Sequence, residues 1–203
     1  NNQPSTLDSL DIKAIAKQSL ATLDQFAKHG FVHGDIKPLN MIFDTQSKNL
    51  TFIDTGGMAK ISKHAELAER TKFSSSRGVT RLYSHPATLE DKKVGHEQDL
   101  FSMGLSILES KLCSDGRQDL WRSISTDISN LKKASNPEQR IRAELRSSLE
   151  KQINVSEDSI EDFALRLIET SLVTKDPIMP DRVSSILAEL AMHGAVGGSG
   201  LPK

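Results

Sequence analysis

Apolar residues recur at helical spacing near the start of the chain. They lie mostly three, four or seven positions apart, as one buried face of a helix requires, and they are Ile12, Ile15, Ala16, Leu23, Phe26 and Ala27. Gly30 follows them, and glycine is the residue that most often closes a helix at its C-terminus. The pattern predicts an amphipathic helix over residues 10–29.

Two short apolar stretches come next, residues 40–43 and 50–53, and the polar residues 44–49 separate them. Two such runs around a polar turn are typical of a β-hairpin. Asn40 and Asp54 lie at the open ends of this predicted hairpin. We therefore expect both side chains at the same edge of it.

The later part of the chain is helical in pattern. Apolar residues at helical spacing recur through residues 115–203, with a helix start expected at Pro137. Residues 58–81 are rich in charged residues and serine, and a short helix is expected there at residues 65–70. The spacing predicts a mainly α fold, a helical bundle with one small β-hairpin.

Composition limits the class of protein. The chain has 203 residues, of which 36% are hydrophobic, and a formal net charge of −1. This suffices for one substantial core, and the balanced charge gives no reason to expect nucleic-acid binding. Cys113 is the only cysteine, which excludes an intramolecular disulfide and suits a reducing compartment. No apolar run approaches the roughly 18 residues of a membrane span, so we expect a soluble, cytoplasmic domain.

The loop before the hairpin concentrates candidate catalytic residues. Residues 33–40 read His-Gly-Asp-Ile-Lys-Pro-Leu-Asn, and a further aspartate, Asp54, ends the second strand. Taken singly, Asp35 and Asn40 are ordinary turn residues. Taken with Lys37 and Asp54 they form a set suited to phosphoryl transfer, because that anionic transition state needs positioning and charge neutralisation.

This arrangement resembles the catalytic loop and metal-binding turn of protein kinases, H-R-D-L-x-x-x-N followed by D-F-G. The resemblance implies that Asp35 orients the attacking hydroxyl group and accepts its proton. It implies that Lys37 contacts the phosphoryl group of ATP, as in the serine/threonine class. Asn40 and Asp54 are implied ligands of Mg2+, which prefers hard oxygen ligands. His33 is implied to be a packed scaffold residue.

Two later segments extend the resemblance. Thr80, Tyr83 and Pro86 match the kinase element G-T-x-x-Y-x-x-P-E, which ends the activation segment. Asp99 opens a segment similar to D-x-W-S-x-G, whose aspartate ties the catalytic loop to a central helix in kinases. The alternative interpretation of Asp99 is an acidic residue at a helix N-terminus, favoured there by the helix dipole. The resemblance covers residues 10–192.

Three positions depart from the kinase pattern. Gly34 stands where an arginine usually binds the phosphate of the activation segment, so we expect a constitutively competent kinase or one switched by an activating protein partner. Thr55 replaces the phenylalanine of D-F-G. Ala87 replaces a glutamate that forms a buried ion pair in kinases, and that pair is therefore missing or rebuilt through Glu90.

Four hydroxyl residues before Thr80 are candidate phosphoacceptors. They are Thr71, Ser74, Ser75 and Ser76.

No G-x-G-x-x-G loop and no V-A-I-K lysine occurs in the sequence. We therefore expect residues 10–193 to form a kinase C-terminal lobe, residues 1–9 a linker from a missing N-terminal lobe, and residues 194–203 a flexible tail. Within a longer protein, this lobe is expected to transfer the γ-phosphoryl group of ATP to a serine or threonine of a protein substrate. Alone it should be nearly inactive. The motifs are also similar to those of divergent effector kinases that bacterial pathogens inject into the host cytosol.

Two other function classes stay open. A pseudokinase or scaffold keeps this fold to bind a partner, although the full polar set at Asp35, Lys37, Asn40 and Asp54 argues against it. A small-molecule phosphotransferase of the aminoglycoside or choline type shares H-x-D-x-x-x-x-N. The Lys37-Pro38 pair and the element that begins at Thr80 favour a protein substrate instead.

Overall fold

A computed structural model describes residues 7–61, 71–72, 80–91, 93–173, 178 and 180–192. Its helices are α1 (Ser9–His29), α2 (Pro86–Asp91), α3 (His96–Ser114), α4 (Gln118–Leu131), α5 (Pro137–Glu150), α6 (Ile160–Ser171) and α7 (Pro180–Met192). Its short strands are β1 (Phe31–Val32), β2 (Met41–Asp44), β3 (Asn49–Phe52), β4 (Ala59–Lys60), β5 (Thr71–Lys72) and β6 (Lys93–Val94). The predicted fold class, mainly α with a small β-hairpin, is confirmed.

Helix α1 forms where the sequence predicts it, because both ends carry capping signals. Asp8 and Asp11 make a reciprocal capping box at its start, in which each carboxylate accepts the backbone N–H of the other residue. Gly30 ends the helix at φ 71°, in the left-handed region that glycine adopts at least cost. The chain is thereby turned into β1, which leads to the candidate catalytic loop.

The predicted hairpin is also confirmed. Strands β2 and β3 pair antiparallel, with Met41 opposite Phe52 and Asp44 opposite Asn49. Just outside this ladder, the Ile53 N–H donates to the Asn40 carbonyl oxygen at 2.9 Å. The hairpin packs against α1, and its open end points to the loop at residues 33–40.

Helix α3 is the centre of the core, and most of its residues are buried. It packs most extensively against α6 and also contacts α1 and α4. Gly104 permits the close approach of α6, because a Cβ atom there would lie 2.7 Å from Ile168 Cγ1 and 2.8 Å from the Ala164 carbonyl oxygen. Any larger residue at this position would push the two helices apart.

Helices α4 and α5 pack against each other, and α5 starts at Pro137 as predicted. The predicted helix at residues 65–70, Ser74 to Ser76, residues 1–6 and the tail at residues 194–203 lie outside the described residues. Within the described residues, no helix combines the length and the apolar character that crossing a membrane requires.

Candidate active site

The loop at residues 33–40 is held at its start by α3. The backbone N–H of His33 donates to Asp99 Oδ2 at 2.7 Å, and that of Gly34 donates to Asp99 Oδ1 at 2.9 Å. Asp99 is 2% exposed. Burial raises the pKa of Asp99 to about 6, and the two backbone N–H groups oppose that shift by favouring the carboxylate. The prediction that Asp99 ties this loop to a central helix is confirmed.

His33 is a packed scaffold residue, as the sequence implies. Its side chain is fully buried, and its ring lies 6.3 Å from the ring of Phe26 and 6.1 Å from that of Phe52. The ring atom Nε2 lies 3.2 Å from the Ile53 carbonyl oxygen, and Nδ1 accepts the Asp35 N–H at 3.4 Å. Both contacts suit a neutral ring protonated at Nε2, which joins the loop to the end of β3.

Three of the four predicted site residues make direct contacts with each other. Lys37 Nζ donates to Asp35 Oδ2 at 2.6 Å. Asn40 Nδ2 donates to the same oxygen at 3.1 Å and to the Asp35 carbonyl oxygen at 2.8 Å. The side chains of Asp35 and Lys37 keep 19% and 17% exposure, so the pair is sheltered but open to a ligand on one side.

Asp54, the fourth predicted residue, lies at the same hairpin edge as Asn40. It follows Ile53, whose N–H is bound to Asn40 and whose carbonyl oxygen is bound to His33. Its backbone is left-handed, at φ 57° and ψ 54°, a conformation that aspartate adopts more readily than most residues with a Cβ atom. The contacts of Ile53 hold the chain in this conformation, and the Asp54 side chain is exposed.

Thr80 belongs to this site, although the sequence indicates it only as part of a later motif. Lys37 Nζ donates to Thr80 Oγ1 at 2.8 Å, across 43 positions of the chain. The Tyr83 hydroxyl, in the same turn, donates to Glu109 Oε2 on α3. Burial raises the pKa of Tyr83 and that of Glu109. The matched positions T-x-x-Y-x-x-P were the signal for Thr80, whereas no motif pointed to Glu109.

The sequence leaves two outcomes open for the ion pair lost at Ala87, a missing pair or one rebuilt through Glu90, and the described residues show no pair through Glu90. Glu90 is exposed on α2. Ala87 itself is buried, at 5% exposure. The turn that precedes α2 is held by other contacts, among them the His85 N–H, which donates to Gln98 Oε1 at 2.8 Å.

The donor set fits a hard divalent cation bound together with phosphates. Asn40 Nδ2 donates both of its hydrogen bonds to Asp35. The amide oxygen Oδ1 of Asn40 therefore remains as an oxygen ligand for a cation. Asp54 adds an exposed carboxylate at the same hairpin edge. One amide oxygen and one carboxylate, completed by phosphate oxygens and water, is the kind of set that Mg2+ takes. Within the described part of the chain, no cluster of three or more His, Cys, Asp or Glu side chains suits a metal bound by protein alone.

The sequence of this chain is similar to those of known protein kinases. A family model described as "Protein kinase domain" matches residues 2–184. The chain is 34% identical over 110 residues to a putative cyclin-dependent serine/threonine-protein kinase of Dictyostelium discoideum, covering 54% of this chain and 15% of that protein. It is 29% identical over 153 residues to a probable serine/threonine-protein kinase of the same organism, covering 66% of this chain and 23% of that protein.

A mammalian relative shows similar partial coverage. The eukaryotic translation initiation factor 2-alpha kinase 1 of Mus musculus is 32% identical over 85 residues, which cover 39% of this chain and 14% of that protein. The chain thus spans less than a quarter of the length of each of these relatives.

Proposed function

This chain belongs to the protein kinase family, and we propose that it is the catalytic lobe of a serine/threonine kinase that transfers the γ-phosphoryl group of ATP to a protein hydroxyl. The contact network that joins Asp35, Lys37 and Thr80 carries this proposal. Its position at the open end of the hairpin supports it, since Asn40 and Asp54 lie at the same edge. The serine/threonine relatives support the class of acceptor.

Each side chain then has a distinct role. Asp35 Oδ2 is occupied by Lys37 and Asn40, so Oδ1 is left to orient the acceptor hydroxyl group and take its proton. Lys37 places a positive charge beside that carboxylate, where it stabilises the transferring phosphoryl group. Asn40 and Asp54 would hold the magnesium ion. When bound with ATP, that ion neutralises charge on the phosphate oxygens.

The proposal keeps the domain organisation inferred from the sequence. Residues 10–193 form the C-terminal lobe, residues 1–9 the linker and residues 194–203 the tail. The short coverage of the relatives supports a longer active protein that supplies the nucleotide-covering lobe. Gly34 in place of arginine supports activation by a protein partner in the cytosol rather than by phosphorylation.

The test is phosphate transfer from radiolabelled ATP to a generic basic protein, measured with the full-length protein that carries this chain. We expect the Asp35→Asn variant to lose at least about a hundred-fold in rate, since it removes the base that orients the hydroxyl group. The control is Asp44→Asn, because Asp44 is an exposed hairpin carboxylate whose hydrogen bonds are local, to Gln46 and Ser47 in the same turn. Its rate should stay within about two-fold of the parent.

Other outcomes separate the alternatives. If neither the parent nor Asp35→Asn transfers label while ATP or a partner still binds, the chain is a pseudokinase or scaffold. If label reaches an aminoglycoside or choline but no protein, it is a small-molecule phosphotransferase. Equal rates for the parent and Asp35→Asn on protein would refute the assigned role of Asp35.

A further inference from the structure

Lys132 makes an unusual set of contacts with the turn at residues 80–84. It follows the last residue of α4, and its Nζ donates to the carbonyl oxygens of Arg81 at 2.9 Å and Ser84 at 2.6 Å. The same Nζ also donates to the carbonyl oxygen of Leu82. An ammonium group has three N–H donors. All three are therefore matched by carbonyl groups of one turn.

The surroundings of Lys132 indicate a built contact rather than a surface encounter. Its Nζ lies 4.7 Å from the ring centroid of Phe101, a fully buried residue of α3. A cation over an aromatic face is attracted by it, and more strongly where water is excluded. Burial lowers the pKa of Lys132 well below its ordinary value, and Arg81 acts in the same direction. The turn is thus bound to α3 through the lysine.

With this lysine in place, every carbonyl group of the turn has a donor. The Thr80 carbonyl oxygen accepts the Tyr83 N–H at 3.0 Å and the Ser84 hydroxyl at 3.2 Å. The Tyr83 carbonyl oxygen accepts Gln98 Nε2 at 3.2 Å. The other three are those bound by Lys132. Without the ammonium group, three of the five carbonyl groups at residues 80–84 would lose their donor in the protein.

The turn begins at Thr80, whose hydroxyl group accepts from Lys37. Any shift of the turn is therefore passed to the catalytic pair of Lys37 and Asp35. We propose that Lys132 is a positioning residue, which holds the turn at residues 80–84 in the shape that keeps Thr80 on Lys37 and forms the acceptor side of the active site. This inference rests on the proposed kinase function. It assigns Lys132 the anchoring task that Ala87 cannot perform.

The first arm of the test is hydrogen exchange, which needs no catalysis. In the full-length protein we expect Lys132→Met to speed exchange of the Tyr83 and His85 amides at least about ten-fold, because the turn opens locally. Exchange in α1 and α6 should not change. The matched control is Lys133→Met, which removes the adjacent, exposed lysine and should leave these amides as in the parent. Unchanged exchange at Tyr83 and His85 would overturn the proposal.

The second arm is a split of kinetic constants, which a merely structural role would not produce. We expect Lys132→Met to lower kcat/KM for the protein acceptor about ten-fold, through loss of charged hydrogen bonds, with KM for ATP within about two-fold of the parent. Lys132→Gln keeps two N–H donors, so its kcat/KM for the protein acceptor should lie between the values of the parent and of Lys132→Met. A change in KM for ATP as large as the change in kcat/KM for the protein acceptor would overturn the positioning role.

The two arms also separate this inference from the proposed function. If the parent protein transfers no phosphate, the kinase proposal fails, while the exchange result still decides whether Lys132 anchors the turn. If Lys132→Met cannot be purified in folded form, both measurements are made on Lys132→Gln. Exchange and acceptor kinetics equal to the parent in that variant would then refute the proposal.

Discussion

The loop at residues 33–40 and the turn at residues 80–84 meet at the same site, but buried groups of opposite charge hold them. In the loop, the Asp99 carboxylate accepts two backbone N–H groups. In the turn, the Lys132 ammonium donates to three backbone carbonyl groups. Both ions are tied to α3. Asp99 is a residue of this helix, and Lys132 lies over the ring of Phe101, which is another of its residues.

The difference shows that the unpaired backbone groups which a buried segment presents decide which ion can hold it. The loop presents N–H groups toward α3, and only an acceptor can satisfy them. The turn presents carbonyl groups, and only a donor can do so. A buried backbone group without a partner costs about 1–3 kcal/mol, so each anchor has to match the polarity of its segment.

Removing the carboxylate anchor should have the largest effect. We expect Asp99→Ala to lower the free energy of unfolding by about 2–6 kcal/mol, because two buried N–H groups lose their acceptor at about 1–3 kcal/mol each. Urea denaturation measures this change. The control is Asp119→Ala, since Asp119 is also an acidic residue in the first turn of a helix but is exposed, and a helix-dipole role is worth under about 1 kcal/mol.

Equal losses in the two variants would mean that Asp99 acts only through the helix dipole. The comparison between the two anchors would then break down, because the loop at residues 33–40 would not depend on a buried acceptor. Activity in the full-length protein should follow the same order, with Asp99→Ala the more impaired variant.

A buried group on α3 that lacks a partner should behave differently from both anchors, and His96 is such a group. Its Nε2 is buried and finds no hydrogen-bond partner among the described residues. Burial lowers the pKa of His96 to about 4, below its ordinary value of 6.5. As pH falls, His96 is therefore protonated in the unfolded chain before it is protonated in the folded protein. The stabilising contribution of neutral His96 is full above pH 6.5 and is lost progressively toward pH 4.

This loss is measured as a difference between variants. The parent should lose about 2 kcal/mol of unfolding free energy relative to His96→Leu between pH 7.5 and pH 5. The raised pKa of Asp99 acts in the opposite direction, since the folded state takes up that proton first as pH falls. Both proteins keep Asp99, so its effect cancels. A difference that stays constant with pH would contradict the burial of an unpaired imidazole.

The contact that joins the two regions should have the smallest effect on stability and a moderate one on rate. Thr80→Val removes the hydroxyl group that accepts from Lys37 and keeps the side-chain shape. We expect kcat/KM of the full-length protein to fall about ten-fold, as for the loss of one hydrogen bond to a charged group. Thr80→Ser keeps the hydroxyl group and should stay near the parent. A serine variant as impaired as the valine variant would show that shape, not the hydroxyl group, matters.

Much of the local structure was predictable from the sequence. The helix expected at residues 10–29 is α1 at Ser9–His29, and the expected hairpin is β2 and β3. Caps, apolar spacing and turn residues act over a few positions of the chain, so they can be recognised without a structure. The scaffold roles of His33 and Asp99 were predictable as well, through a motif resemblance rather than local physics.

The contacts that join distant segments were not predictable in the same way. Glu109 meets Tyr83 across 26 positions, and Lys132 meets the turn across 48 to 51 positions. A lysine after a helix end is an ordinary residue in the sequence, because lysine favours helix C-termini and usually stays in water. Of the two outcomes that the sequence leaves open at Ala87, a missing ion pair or one rebuilt through Glu90, the described residues show no pair through Glu90, which is exposed on α2.

The amino-acid sequence by itself determined the helices, the hairpin and the order of the polar residues along the loop, since periodicity and backbone capping are local properties. Only the tertiary structure decided which ions hold the two segments that form the site. That choice depends on which backbone N–H and carbonyl groups face α3 once the helices have packed, and buried dipoles accept only partners of the matching polarity.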